Sequence, residues 1–237
     1  LNAQKEFLAI YAGNYHTAHL ETCKFVDKDY GVEIDKPADL VIASCGGYPK
    51  DINIYQVQKT MDNAWWAVRE GGVVILLAEC REGSGSALYE SLMEKHRTPE
   101  EVEKVVRADF QIGAHKAYAV TRLMKKATFI LVSSLTQELA EKLLFTPAKS
   151  IEEALEIATE KIGDSPSIIL MPQGSLTVPR TKRFLRSEKE VLLLTRLDTQ
   201  VTPLLTHFSG TAGILIGSQC LLYTSDADDD APCVELR

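Results

Sequence analysis

The chain has 237 residues, of which 45% are hydrophobic and 25% are charged, a composition typical of a globular protein with a buried core. Its formal charge of −7 argues against nucleic acid as a partner, because domains that bind nucleic acid usually carry a basic face. No apolar run approaches the roughly 18–20 residues that a membrane-spanning helix requires. We therefore expect neither nucleic acid nor a membrane among the partners of this chain.

The five cysteines are widely spaced, and none of them forms a CxxC pair. This odd number and wide spacing disfavour a disulfide scaffold and a zinc ribbon, so we expect the reducing cytoplasm as the location. The first residues include neither an initiator Met nor a signal-peptide pattern. We expect them to come from the inside of a longer chain.

Short apolar runs rich in β-forming residues predict strands at 7–11, 39–44, 73–77, 128–133 and 167–171. Amphipathic stretches predict helices around 15–30, 53–69, 86–126 and 150–162. Strands that are apolar almost throughout and are joined by helices indicate a parallel sheet that is covered on both faces. We therefore predict an α/β fold, a doubly wound and mostly parallel sheet with helices on both faces.

The stretch 86–126 is too long for a single helix, and Pro99 interrupts it. Thr98 offers a new N-cap directly before that proline. We therefore predict more than one helix here.

The alternation of strands and helices ends near Pro179, which predicts one α/β domain over 1–180 and a separate tail over 181–237. The run at 220–227 resembles a translated sequencing adaptor that has been joined to a gene fragment. We interpret 181–237 as disordered or artefactual, and a small appended helical element is the alternative.

Ligands of open parallel sheets bind beyond the carboxyl ends of the strands. Three predicted strands lead there into segments rich in Gly and polar residues, at 45–51, 79–85 and 172–175. These segments are candidates for a binding site, although Gly and Pro are also the ordinary residues of turns.

The most informative of these segments continues into a predicted helix. Gly46 and Gly47 permit a sharp turn after the strand, and Asn53 with Gln56 three residues later fits the start of a helix at about 54. Residues three and four apart lie on one side of a helix, so Tyr55, Gln56 and Lys59 should meet over its first turn.

A hydroxyl, an amide and an ammonium would then converge at a helix amino terminus that points into the sheet crevice. Helix amino termini favour anions, so this site would suit a small carboxylate. The alternative is structural: Gln56 completes the cap, Tyr55 packs, and Lys59 is a solvated charge.

The pattern G-G-Y-P-x-D-x-N-x-Y-Q-x-x-K over 46–59 resembles a segment in the second domain of the nickel-pincer lactate racemases and related 2-hydroxyacid racemases. Further segments at 24–27, 78–83, 113–117 and 171–179 follow in the same order as in that family, so the resemblance covers about 1–180. It implies the carboxyl-terminal domain of a nickel-dependent racemase or epimerase of 2-hydroxy acids.

In that family a nickel pincer nucleotide, covalently attached to a lysine, takes a hydride from the α-carbon and returns it to either face. The attachment lysine, the nickel-binding histidine and the histidine bases belong to the amino-terminal domain. The resemblance therefore implies no catalytic and no metal-binding residue in this chain, a partner domain that holds the cofactor, and no activity of this chain alone.

The resemblance assigns the second domain part of the wall that binds the 2-hydroxy acid. Lys59 would pair with the carboxylate, Gln56 would hydrogen-bond a substrate oxygen, and Tyr55 would shape the pocket. The resemblance assigns no role to Glu79 or Arg81. For His115 two alternatives stay open: a structural role, or support of residues that contact the substrate.

For the other residues that could bind a metal or act as nucleophiles, we favour structural or surface roles. His16 and His19 lie three apart on a predicted helix and could chelate a metal, but such pairs are more often surface or cap residues. Cys45 and Cys80 each follow a strand, and with no matching histidine base we interpret them as buried structural residues. A non-catalytic α/β module that binds a small anion is the competing hypothesis for the whole chain.

Overall fold

The computed structural model describes residues 6–181 and 191–193, and the chain divides into two compact units at Asp29 and Tyr30. Before Tyr30, residues 6–14 have no regular structure and helix α1 spans Tyr15–Tyr30. The predicted helix at 15–30 is confirmed, whereas the predicted strand at 7–11 is wrong. Phe7 and Ile10 are about three-quarters exposed there, and no described strand pairs with this apolar run.

The second unit contains all the strands of the described chain. They are β1 (Gly31–Ile34), β2 (Ala38–Ser44), β3 (Val68–Leu77), β4 (Thr128–Val132), β5 (Thr146–Ala148), β6 (Ile168–Met171), β7 (Val178–Thr181) and β8 (Val191–Leu193). Six of them form a parallel sheet in the order β5-β4-β3-β2-β6-β8, and β1 pairs in parallel with β7.

Six helices connect these strands: α2 (Ile54–Ala67), α3 (Ala87–Lys95), α4 (Pro99–Ala108), α5 (Ala114–Met124), α6 (Gln137–Lys142) and α7 (Ile151–Ile162). The stretch 86–126 thus holds three helices, which confirms the prediction of more than one. Thr98 caps α4 with a complete capping box, in which the Glu101 carboxylate accepts from the Thr98 backbone N–H.

The sheet buries apolar side chains on both faces, as expected for a doubly wound fold. Val41 and Ala43 of β2 pack into the core formed with α2 to α6, whereas Leu40 and Ile42 pack into the core formed with α7. Successive strand residues point to opposite faces, so one apolar strand serves two cores. The predicted fold class is confirmed.

Four of the predicted strands correspond to β2, β3, β4 and β6. The observed strands β1, β5, β7 and β8 were not predicted. The missed strands have only three or four residues, and β5 contains Pro147, which is tolerated because β5 lies at the sheet edge. Strand β8 lies within 181–237 and its backbone pairs with β6. The remainder of the predicted tail lies outside the described residues, so its separation from the domain stays a prediction.

The order of the strands places a topological switch point between β2 and β6. From β2 the chain proceeds to β3, β4 and β5 on one side, and α7 then returns it to β6 on the other side. The crevice at the carboxyl ends of β2 and β6 is the position at which such sheets bind ligands. No described helix is long and apolar enough to cross a membrane.

Candidate functional site

Helix α2 begins as its sequence predicts, with Asn53 as the N-cap. The Asn53 Oδ1 atom accepts a hydrogen bond of 3.0 Å from the backbone N–H of Gln56. The bond fixes the first turn of the helix that carries the predicted substrate-binding residues.

The loop that follows β3 covers this helix end. The backbone N–H of Ile54 donates to the Gly83 carbonyl at 3.1 Å, and that of Tyr55 donates to the Ser84 carbonyl at 3.0 Å. Gly85, with φ +79°, lies against Asn53 so closely that a Cβ atom would come within 2.6 Å of the Asn53 Cγ atom. Only glycine permits this approach of the loop.

These contacts correct one element of the sequence-based hypothesis. Donors that a helix amino terminus offers to an anion are already occupied here: Ile54 and Tyr55 donate to the covering loop, and Gln56 and Val57 donate to Asn53. An incoming carboxylate would therefore have to be bound by side chains. The macrodipole of α2 still favours negative charge nearby, but it supplies no free backbone donor.

Tyr55, Gln56 and Lys59 share one side of α2, as their spacing predicts. Each helical residue advances by about 100°, which places Lys59 opposite the buried residues Val57 and Met61. Tyr55 and Gln56 are half-buried, and Lys59 is exposed. Val57 and Met61 take the core-facing side of α2, and the predicted orientation of Tyr55, Gln56 and Lys59 into the sheet crevice stays a prediction.

Helix α5 packs beside α2 and contacts Tyr55. The Lys116 Nζ atom lies 4.4 Å from the centre of the Tyr55 ring, and His115 meets the same ring edge-on at a centroid distance of 6.1 Å. Phe110 stacks against His115. Tyr55 is therefore held from α5 by a cation and an aromatic ring.

A polar chain joins the same two helices. Lys116 Nζ donates to Gln58 Oε1 at 2.9 Å, Gln58 donates in turn to Asp62, and Asp62 pairs with Arg122 at 3.7 Å. The contacts of Lys116 with Tyr55 and Gln58 require the packing of α5 on α2, which local sequence does not predict.

His115 has an unusual environment for a residue at a helix start. Its Nδ1 atom is buried and has no hydrogen-bond partner among the described residues. Burial, and secondarily the positive charge of Lys116, lower the pKa of His115. The neutral imidazole is the form that this position favours.

The crevice between β2 and β6 contains a different pair of polar groups. A Cβ atom on Gly46 would lie 3.4 Å from Lys50 Nζ and 3.6 Å from Gln173 Oε1, so both groups converge on this glycine. The Gln173 Oε1 atom is buried without a donor from the described chain. Burial lowers the pKa of Lys50. The sequence identified both segments as strand ends, but nothing in it singled out these two side chains.

The loop after β2 is also tied to the loop after β3. Asp51 is buried, and its Oδ2 atom accepts from the backbone N–H of Glu79 at 3.2 Å, while its carbonyl accepts from Cys80 at 2.8 Å. Arg81 lies over the Tyr48 ring at 3.9 Å. Glu79 and Arg81 thus lie in the loop that Asp51 holds in place.

The cysteines at the strand ends are structural, as the sequence indicated. Cys45 and Cys80 are buried, and burial raises the pKa of each thiol to about 12. Such thiols remain protonated and unreactive at neutral pH. Cys23, Cys45 and Cys80 are all free of disulfide bonds.

The described part of the chain offers no ligand set for a metal ion. No group of three or more His, Cys, Asp or Glu side chains converges within it, and this includes His16 and His19. His19 instead contacts Cys23 at 3.5 Å on the same helix. The described residues therefore do not fit a nickel site.

Comparison with known families identifies a relationship over most of the described chain. A family model for the lactate racemase C-terminal domain matches residues 34–178. The lactate racemase of Thermoanaerobacterium thermosaccharolyticum is 32% identical over 187 residues, which are 77% of this chain and 44% of that protein. The lactate racemase of Lactiplantibacillus plantarum is 30% identical over 180 residues, 73% of this chain and 42% of that protein.

Two solved structures are also similar to this chain. The lactate racemase apoprotein from T. thermosaccharolyticum superposes with a TM-score of 0.64 at 33% identity, covering 69% of this chain and 40% of that one. A Thermotoga maritima protein superposes with a TM-score of 0.50 at 12% identity, over 70% of this chain and 42% of that one, which shows a shared fold alone. The chain spans less than half the length of the curated relatives that it matches.

Proposed function

Because the chain belongs to the lactate racemase family, through its C-terminal domain, we propose that it is the substrate-binding domain of a nickel-dependent 2-hydroxyacid racemase or epimerase. The observation that carries this proposal is the family match over residues 34–178, which includes the helix with Tyr55, Gln56 and Lys59. The substrate is a small 2-hydroxy acid, and the reaction inverts the configuration of its α-carbon.

The outer side of α2 supports a substrate wall that is completed by another domain. Lys59 is exposed there, and Tyr55 contacts both Lys116 and His115. An exposed lysine gives a carboxylate little binding energy until water is excluded around the pair. We propose that the amino-terminal domain of the same protein covers this side and excludes that water.

Exposed apolar side chains near this wall are consistent with such a covering domain. Phe110 is 60% exposed and stacks on His115, and Ile112, two residues further along, is 64% exposed. Apolar groups of this kind commonly mark a surface that another domain or protein buries. The partner domain would thus contact the loop that precedes α5.

Each side chain of the wall has a distinct role in the proposal. The Lys59 ammonium forms a point-charge pair with the substrate carboxylate, and the Gln56 amide hydrogen-bonds a substrate oxygen. The Tyr55 ring, held by Lys116, limits the pocket and orients the α-carbon. Hydride abstraction and return at the α-carbon is the chemistry that a nickel pincer nucleotide in the partner domain supplies when bound.

We further propose that the protein works in the cytoplasm. The three described cysteines are free thiols, and two of them are buried, which suits a reducing compartment.

The direct test is to join this chain to the amino-terminal domain of a lactate racemase and to load the product with cofactor. Chiral chromatography would then follow the conversion of each enantiomer of several 2-hydroxy acids, and deuterium retention at the α-carbon would report direct hydride return. Racemisation with retention of deuterium would support the proposal. A loaded protein that binds small anions but converts no 2-hydroxy acid would instead indicate the non-catalytic module.

A further inference from the structure

Hydrogen bonds join the two loops that border the crevice at the switch point of the sheet. The backbone N–H of Gly174 donates to the Ser44 carbonyl at 2.8 Å, and Ser175 Oγ donates to the Cys45 carbonyl at 2.9 Å. From α2, the Asn63 amide donates to the Gly174 carbonyl at 2.7 Å. The loop after β2 and the loop after β6 are therefore tied to each other and to α2.

Lys50 and Gln173 project from these two loops towards the same point. Both polar ends lie within 3.6 Å of the position that a Cβ atom on Gly46 would occupy. Gly46 has φ +88°, a conformation that other residues rarely adopt. The absence of a side chain at Gly46 leaves a space that the ammonium and the amide oxygen both border.

Neither group is satisfied by the described chain. Gln173 Oε1 is buried without a donor, and a buried acceptor in this state costs free energy. Lys50 is half-buried, and within residues 6–181 no carboxylate pairs with it. The nearest acidic residue in sequence, Asp51, directs its Oδ2 atom to the backbone of Glu79 instead.

A positive donor beside an unsatisfied acceptor is complementary to one class of ligand. The ligand needs an oxyanion for the ammonium and a hydroxyl that donates to the amide oxygen. We propose that Lys50 and Gln173 form a binding site for a small oxyanion that carries a neighbouring hydroxyl, either hydrogen phosphate or a 2-hydroxy carboxylate. This site lies at the sheet crevice, whereas Lys59 lies on the outer side of α2.

The chain itself can be used to test the site, without catalysis. We would titrate the ¹⁵N-labelled protein at constant ionic strength with inorganic phosphate, with lactate, and with propionate, which lacks the hydroxyl of lactate. Saturable shifts at the amides of Gly46, Gly47 and Gln173 are the expected result. Lactate should bind more tightly than propionate by about fivefold, the value of one hydrogen bond of roughly 1 kcal/mol. The comparison of phosphate with lactate identifies which source of the oxyanion the site prefers.

Variants then distinguish binding at Lys50 and Gln173 from non-specific binding of anions to surface charge. Lys50→Gln should weaken binding by about fivefold or more, Lys50→Arg should retain part of it, and Lys161→Gln on α7 should leave it unchanged. Gln173→Leu should remove the preference for lactate over propionate. Thermal melts of every variant would show that the fold is kept.

Three outcomes would overturn the proposal: shifts that stay linear with anion concentration, equal effects of Lys50→Gln and Lys161→Gln, and lactate binding that depends on Lys59 alone. The last outcome would leave the proposed racemase function intact. Conversely, failure of the joined enzyme to racemise any 2-hydroxy acid would leave this binding result untouched, so the two proposals fail separately.

Discussion

The ammonium of Lys116 lies 4.4 Å from the centre of the Tyr55 ring and at the same time donates a hydrogen bond to Gln58. One side chain of α5 thus contacts two residues of α2, on adjoining parts of its surface. Contacts between the two helices therefore help to set the position of the Tyr55 ring.

Replacing Lys116 with Met should therefore lower the free energy of unfolding by about 1–2 kcal/mol, through loss of the cation–π contact and of the hydrogen bond to Gln58. Urea denaturation of both proteins measures this difference. Lys161→Met, on the other face of the sheet, is the matched control and should change the midpoint little. An unchanged midpoint for Lys116→Met would show that these contacts add nothing to stability.

In a joined enzyme, Lys59→Ala should reduce kcat/KM by tenfold or more while changing the melting temperature little. Truncating one partner of a buried charge pair typically costs about 2–5 kcal/mol, whereas an exposed pair contributes about 0–1 kcal/mol. Lys59→Arg should restore activity only in part, because a planar guanidinium requires a different geometry. Near-normal kcat/KM for Lys59→Ala would leave Lys59 as a solvated charge.

The chain by itself should show no racemase activity, even with nickel and mature cofactor supplied. The family resemblance assigns the covalent anchor and the proton-transfer histidines to the amino-terminal domain, and the described residues contain no cluster that could hold a metal. Optical activity of several 2-hydroxy acids should stay constant over long incubation. Turnover by the isolated chain would refute the division of roles between the domains.

His115 should make the protein less stable as the pH falls below its usual pKa of about 6.5. Burial lowers the pKa of His115 in the folded chain, so the unfolded chain binds the proton first and is favoured as the pH decreases. This loss of free energy of unfolding should level off once the pH is below the pKa of His115 in the folded chain. It should be absent when the pH is well above the usual pKa of His115. Urea midpoints between about pH 5 and 8 should therefore fall less in His115→Gln than in the unmodified chain. His96→Gln serves as the control, and identical profiles for both variants would contradict the prediction.

Ending the chain after Thr181 should leave the α/β core folded, because β7 is complete at that residue and the family match ends at residue 178. The denaturant midpoint should change little, and so should the slope, which tracks the surface exposed on unfolding. A large loss of stability would show that pairing of β8 with β6 contributes to the native fold.

Much of the architecture follows from local patterns. Strands β2, β3, β4 and β6 follow from apolar runs such as 73–77, in which nearly every side chain can be buried on one face of the sheet or the other. The starts of α2 and α4 follow from Asn53 and Thr98, whose side chains accept hydrogen bonds from the first turn of each helix. The shared side of Tyr55, Gln56 and Lys59 follows equally from helical geometry.

The tertiary structure decided which side of each element meets which neighbour. Lys59 lies opposite Val57 and Met61 on α2, because those two residues occupy the core. Two first-turn donors of α2, the N–H groups of Ile54 and Tyr55, are taken by the carbonyls of Gly83 and Ser84, which lie about thirty residues further along the chain. Lys50 and Gln173 meet at Gly46 only because β6 pairs beside β2, a contact across more than a hundred residues. Local sequence determines helix caps and the periodicity of buried residues. Contacts between residues that are distant in sequence depend instead on strand order, which is set by packing of the whole sheet.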